Sequence, residues 1–315
     1  MKHSVRKKLL AAAGIAAAVA ALCAGAFFWY VSDYYRAEDV ALEVMARGTG
    51  ITVEGDFTIL SPSVPSDTGI VFYPGAKVEA EAYLPLLDRI RRTGVTCVLV
   101  HMPFNMAIFD PGAAEDVFPL FPQIEHWYVA GHSMGGAMAS DFASKHPEEV
   151  DGLILLGAYI YGDYPDEKTL TVYGSLNQSV EDHIDYTENI VEIEGGNHAQ
   201  FGNYGPQKGD LPAAISAEEQ QAQTVAAIEE FRPGRAEGAG LPAARPVKTD
   251  KKSVPMPLCI GTLFFFRGGK ARDRKKRKPR IWFFGEKRRQ QAAVSPSSFS
   301  RRRRRAASSA PPSAV

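Results

Sequence analysis

The run His126-Trp127-Tyr128-Val129-Ala130-Gly131-His132-Ser133-Met134-Gly135-Gly136-Ala137-Met138-Ala139 decides the fold. An apolar stretch of strand length ends in a glycine, a serine follows two residues later, and a segment of small residues suited to a helix begins at once. A serine raised on a sharp strand-to-helix turn needs glycines on both sides, because a Cβ there would strike the strained turn or the crossing helix. The amide after the serine, that of Met134, is then free to donate to a developing oxyanion. A glycine-rich turn serving only close packing is the competing explanation, and the agreement of spacing with strand-helix context disfavours it.

Working outward, short apolar runs alternate with longer mixed stretches from Gly50 to Phe231, as the strands and crossover helices of a mostly parallel sheet do. Strands are predicted near Phe57 to Leu60, Gly69 to Tyr73, Cys97 to His101, His126 to Ala130, Gly152 to Leu156, Leu170 to Tyr173 and Ile190 to Glu194. Helices are predicted near Glu79 to Arg92, Gly135 to Lys145 and Ser216 to Phe231. Ser216 with Glu219 three residues on forms a capping-box pattern for the last of these. The fold class is therefore α/β, with a mostly parallel central sheet and helices on both faces.

A serine hydroxyl is a weak nucleophile until a base takes its proton, and in this chain order the base follows the last strand. His198, in Gly195-Gly196-Asn197-His198-Ala199-Gln200-Phe201-Gly202, meets that need. His101, His126, His132, His146 and His183 have no comparable placement and are taken as structural or surface residues. The second oxyanion donor comes from the loop after an earlier strand, Tyr73-Pro74-Gly75-Ala76-Lys77, where Ala76 is the assigned amide.

Four segments together resemble the α/β-hydrolase fold-5 family, which is related to dienelactone hydrolases. They are Tyr73-Pro74-Gly75-Ala76-Lys77-Val78, Pro103-Phe104-Asn105-Met106-Ala107, Gly131-His132-Ser133-Met134-Gly135-Gly136 and Gly195-Gly196-Asn197-His198-Ala199-Gln200-Phe201. The resemblance covers roughly Ile51 to Phe231 and implies a compact hydrolase core, often anchored at the N-terminus, with no particular substrate. The family places an aspartate just after the strand that here ends in Tyr173-Gly174-Ser175, but this chain has Asn177 in that slot. An asparagine can orient an imidazole by hydrogen bonding but cannot stabilise its cation by charge. Asp182 is the expected substitute acid, with Glu181 beside it and Asp163 and Asp166 as weaker candidates.

The expected chemistry is acyl transfer: His198 deprotonates Ser133, which attacks an ester-like carbonyl while the Ala76 and Met134 amides hold the oxyanion. The Met102 to Gln123 segment, with Phe104, Met106, Ile108, Phe109, Phe118 and Phe121, either lines an apolar substrate site or packs in the core. Short connections leave little room for a large lid and favour a small or accessible ester.

The ends of the chain differ from its middle, giving a leader at 1–36, a catalytic-type domain at 37–231 and a tail at 232–315. Lys2, Arg6, Lys7 and Lys8 precede an uncharged run from Leu9 to Val31, long enough for the ~20 apolar residues that a membrane core requires. A retained single-pass anchor is expected, with the positive end in the cytoplasm and the domain outside the cell membrane; a cleaved signal peptide is the alternative. Phe27, Phe28, Trp29, Tyr30, Tyr34 and Tyr35 cluster where the helix would leave the bilayer.

After Phe231 there are 23 Lys and Arg against 4 Asp and Glu, a balance of +19 that the rest of the chain offsets to a formal net charge of zero. The tail is expected to be largely disordered, with at most a nonspecific polyanion contact through its basic blocks and no specific nucleic acid. The three cysteines, Cys23, Cys97 and Cys259, form neither a disulfide framework nor a metal motif, and no metal or organic cofactor is implied. Besides the active hydrolase, two other classes stay open: a catalytically weakened domain that binds a ligand or envelope partner, and a polyanion-binding protein using the domain as scaffold.

Overall fold

The computed structural model describes residues 2–232, with side chains from residue 5 onward. The expected polyanion contact and Cys259 lie outside the described residues. Eight strands form one sheet: β1 (Ile51–Glu54), β2 (Phe57–Leu60), β3 (Thr68–Tyr73), β4 (Thr96–Val100), β5 (His126–His132), β6 (Gly152–Leu156), β7 (Thr169–Gly174) and β8 (Ile190–Ile193). Their order is β1-β2-β4-β3-β5-β6-β7-β8, antiparallel for β1 with β2 and β2 with β4, and parallel from β4 onward.

Strands β3 to β7 are buried along nearly their whole length because both faces are covered, whereas β8 at the sheet edge exposes Glu192. Ile70 and Phe72 of β3 face a core built with Leu84 and Leu87 of α3 (Leu84–Arg91) and Ile228 of α7 (Ala217–Phe231), over which α2 (Asp39–Arg47) adds Val44. Val71 and Tyr73 point the other way, against Val117 of α4 (Ala114–Val117) and Ala139 and Phe142 of α5 (Met134–Lys145). Each fully buried Leu or Phe stabilises the fold by about 1.5–3 kcal/mol. Ser216 Oγ accepts the Glu219 amide at 3.1 Å, so α7 is capped as its sequence pattern predicts.

The seven expected strands are present, each within two residues of its expected ends. Four elements lie outside the expected set: β1, a largely exposed edge strand; α2, which buries Ala41 and Val44 and ends on Gly48 at φ 66°; and the short helices α4 and α6 (Gln178–Glu181). The 102–123 segment divides. Met102, Met106, Ala107 and Val117 are buried in the core under α5, whereas Phe104, Ile108 and Phe109 are exposed.

The chain leaves β3 toward β4 on one side, and from β5 it proceeds to β6 on the other. The connections after β3 and β5 therefore run to opposite sides from the C-terminal edge of the sheet, the place where parallel α/β sheets bind ligands. The first helix, α1 (Lys2–Ser32), contains the span Val5–Ser32, which is long and apolar enough to cross a membrane and is exposed except near its C-terminal end, where Val31 is buried. By length and composition it fits a membrane anchor or a signal sequence.

Candidate active site

Ser133 sits between β5 and α5 with φ 54° and ψ −121°. A non-glycine residue held there costs about 1–3 kcal/mol, so the surrounding structure must over-determine it. It does so through the Ser133 amide, which donates to Leu156 O at 3.0 Å, and the Ser133 carbonyl, which accepts the Ala137 amide at 3.1 Å. The glycines make this possible. A Cβ on Gly131 would fall into the Gly135 backbone, and one on Gly135 would fall onto the Tyr73 and Pro74 carbonyl oxygens. The start of α5 is thus pressed against the loop that follows β3.

That loop carries the assigned oxyanion donors' other half. The Gly75 amide donates to Tyr83 Oη at 3.0 Å, the Lys77 amide to Asn105 O at 2.7 Å and the Val78 amide to Gly75 O at 3.3 Å. Ala76 is the residue between them whose amide has no such bond among the described residues, and it is partly exposed. Met134 is the first residue of α5, where helical amides lack intrahelical acceptors. Because Tyr73 lies opposite Gly131 in the sheet, both donors belong to the same edge.

His198 follows β8 and reaches that edge too, its ring packed beside Gly157, the residue after β6. Gly157 has φ 54°, and a Cβ there would stand 3.0 Å from His198 Nδ1, so only glycine leaves room for the imidazole. Since Leu156 O holds the Ser133 amide, the serine and the histidine flank the same turn of chain.

The group that meets His198 Nδ1 is Asn177 Nδ2, at 2.7 Å. Asp182, the expected acid, is exposed at the C-terminal end of α6 (Gln178–Glu181), where its amide donates to Gln178 O, and it does not meet the ring. Glu181 and Asp163 are likewise exposed, and Asp166 precedes β7, at the opposite edge of the sheet. Asn177 Oδ1 accepts from Ser179 Oγ at 2.9 Å. In this orientation the amide donates to Nδ1, which puts the imidazole proton on Nε2, the wrong nitrogen for a base. Turning the amide over satisfies the same atoms: Oδ1 accepts from Nδ1–H, and Nδ2 donates to the Ser179 hydroxyl. Only the second arrangement leaves Nε2 free to take a proton.

The alpha/beta hydrolase family model matches residues 69–222, the segment that contains the Ser133 turn, the loop after β3 and His198. The chain carries an alpha/beta hydrolase domain. Among solved structures it is similar to an α/β serine hydrolase without a lid from Xanthomonas campestris, at 14% identity over 57% of this chain and 90% of that one, TM-score 0.41. It is also similar to Est1E from Butyrivibrio proteoclasticus, at 15% identity over 58% and 99% of the two chains, TM-score 0.43. Dienelactone hydrolase from Anabaena variabilis gives 15% identity over 56% and 89%, TM-score 0.39. No curated protein matches the sequence significantly.

Three further side chains are hydrogen-bonded into the candidate site although their sequence context did not mark them. His132, expected to be structural, is fully buried, with Nδ1 at 2.7 Å from Tyr83 Oη and Nε2 at 3.0 Å from His198 O. A carbonyl only accepts, so Nε2 carries the proton and Nδ1 accepts from the tyrosine hydroxyl. Burial pushes the His132 imidazole well below the usual histidine range, the nearby His198 adds to that, and burial pushes the Tyr83 hydroxyl upward. Both are neutral, which is the state the chain of bonds requires. It runs from Gly75 N–H to Tyr83, to His132, to the carbonyl of His198, and so ties the oxyanion loop, the elbow and the histidine loop together.

Asp210 is the third. Its carboxylate accepts the His198 amide at 3.2 Å, the Ala199 amide at 2.8 Å and the Leu211 amide at 3.0 Å. Burial lowers the His198 pKa, and the Asp210 charge opposes that shift. Among the described residues no group of three or more His, Cys, Asp or Glu is placed to hold a metal ion.

Proposed function

We propose that this protein is a membrane-anchored serine hydrolase that cleaves an ester-like bond through an acyl-enzyme on Ser133. His198 takes the hydroxyl proton as the serine attacks the carbonyl carbon, and the Ala76 and Met134 amides receive the charge that develops on the carbonyl oxygen. His198 then returns the proton to the leaving alcohol, and water, activated by the same imidazole, releases the acid. The observation that carries this reading is the strained backbone of Ser133, φ 54°, on an edge shared with His198 and two unengaged amides. Strain of this kind persists where surrounding structure maintains it, and it clusters at active sites. The membrane part rests on the apolar span of α1, and the positive charges before it support an extracytoplasmic domain.

One observation favours a second reading, in which the domain binds a ligand with little turnover. Asn177 supplies no charge to His198, and replacing an acid by its amide at this position costs about 10⁴ in turnover in a serine protease. Labelling of the full chain with a fluorophosphonate separates the two. The hydrolase reading expects labelling that Ser133→Ala abolishes; a folded chain that takes no label leaves the binding role.

A further inference from the structure

The catalytic edge of the domain is also the edge on which α1 docks. Only two residues separate the end of α1 at Ser32 from Tyr35, which pairs with the oxyanion loop: its amide donates to Lys77 O at 2.7 Å, and its carbonyl accepts the Glu79 amide at 2.9 Å. Lys77 Nζ lies 3.2 Å from Asp33 Oδ2 and 4.3 Å from the centre of the Tyr30 ring. There is no linker with which the domain can stand away from the helix.

Further along α1, the Phe27 ring meets Phe104 edge-on at 5.2 Å and Phe109 at 5.8 Å. Phe27 lies five residues before the helix end, about 7–8 Å along the axis. Two aromatic side chains of the domain therefore reach to a level inside the apolar span, about the depth to which interfacial side chains enter a bilayer. They remain 45% and 47% exposed with the helix in place, and Ile108 between them is 37% exposed. On the helix side of the contact, Phe28 and Trp29 are 58% and 78% exposed. Isolated exposed apolar residues are ordinary on soluble proteins, but a patch continuous with an apolar span is not isolated. The loop that bears Phe104 and Phe109 is joined to the oxyanion loop by the Lys77 amide on Asn105 O, next to Ala76.

From this juxtaposition we propose that the active-site edge rests on the bilayer surface, with Phe104 and Phe109 in the acyl-chain boundary, and that the substrate is a membrane-borne amphiphile carrying an acyl ester. Such a molecule reaches Ser133 by sliding its carbonyl up from the bilayer past these two rings, without crossing water. The inference rests on the anchored-hydrolase reading above and adds the orientation of the domain and the class of substrate.

The test uses the full chain in phosphatidylcholine vesicles, with a benzoylphenylalanine photocrosslinker at Phe109 or, as a control, at Val64, which is exposed in the loop before β3 at the opposite edge. A second arm measures turnover of vesicle-borne methylumbelliferyl oleate against soluble methylumbelliferyl acetate, each corrected by Ser133→Ala. The expected result is a lipid adduct at 109 and none at 64, with the oleate-to-acetate ratio of kcat/KM falling at least about tenfold in Phe104→Ser/Phe109→Ser, since the polar side chains no longer enter the acyl-chain boundary. A chain that resists alkaline washing, cleaves acetate and gives no adduct at 109 overturns the proposal and leaves the anchored hydrolase standing. Equal adducts at both positions overturn it as well. A chain that washes off the vesicles, or one with no Ser133-dependent turnover of either ester, removes the reading underneath and the proposal with it.

Discussion

Replacing Asn177 by aspartate tests the catalytic reasoning most directly. The substitution puts a carboxylate where Asn177 Nδ2 now stands 2.7 Å from His198 Nδ1. It cannot donate, so it fixes the proton on Nδ1 and leaves the Nε2 lone pair free to accept a proton. Two magnitudes bound the gain. If the native amide already spends its time turned, with Oδ1 on the ring, the change only replaces a neutral hydrogen bond by a charged one, worth about 1–2 kcal/mol more, or roughly 5- to 30-fold in rate. If the native amide holds the other tautomer, the gain approaches the ~10⁴ measured for the reverse change in a serine protease. Asn177 is buried, so desolvation of the new carboxylate subtracts from either figure, and the Ser179 hydroxyl, already within 2.9 Å of the amide, offsets part of that cost. The assay is the second-order rate of fluorophosphonate labelling, with kcat/KM for a soluble ester followed across pH. The variant is expected to be faster by a few-fold at the least, with its acidic limb moved to higher pH because the new charge stabilises the imidazolium. An unchanged or slower rate in a variant with native thermal stability would refute the assignment of residue 177 to the acid slot.

Tyr83→Phe removes the hydroxyl shared by the Gly75 amide and His132 Nδ1, leaving two buried polar atoms unpaired; stability should fall by about 2–4 kcal/mol in denaturant titration, and kcat should fall more than KM rises. Asp210→Asn withdraws the charge that raises the His198 pKa, so the acidic limb of the kcat/KM profile should move to lower pH, a shift that a purely structural role for Asp210 would not produce. His132 and His198 are both held below the ordinary histidine value, so the folded chain binds fewer protons than the unfolded chain between the folded and unfolded pKa values. Stability should therefore be full above about pH 6.5 and fall as pH drops below it, by up to about 1.4 kcal/mol per unit for each histidine; unfolding midpoints that are flat from pH 7.5 to about 5.5 would contradict this.

Much of the candidate site's backbone was legible because a strained strand-to-helix turn imposes local rules. A serine on a strained turn needs Gly131 and Gly135 at fixed offsets, and strands buried on both faces, such as β6, read as uninterrupted apolar runs. What was not legible depends on distant partners. Tyr83 joins His132 across 49 positions, and nothing near Tyr83 distinguishes it from a core tyrosine. Asp210 acts on backbone amides at 198 and 199, so it needs no recognisable side chain opposite it. The short turns between residues 103 and 120 follow no period, because they are pinned by Tyr73 Oη, which donates to Pro111 O at 3.0 Å and accepts the Ala114 amide at 2.9 Å. Asp182 attracted attention as a carboxylate near the right strand. However, α6 turns it outward, while the tight turn after β7 carries Asn177 to the ring.

The same contacts explain why an asparagine can occupy the acid slot without the site collapsing. An acid beside a catalytic histidine has two tasks, holding the ring in place and stabilising its charge. Here the backbone of His198 is fixed by other groups: its amide by Asp210, its carbonyl by His132 and its ring wall by Gly157. Placement is therefore largely independent of residue 177, and what that residue governs is the tautomer and the charge. A single substitution should alter those two without moving the ring, which is why the effect of Asn177→Asp is expected in the rate and pH profile and not in the fold.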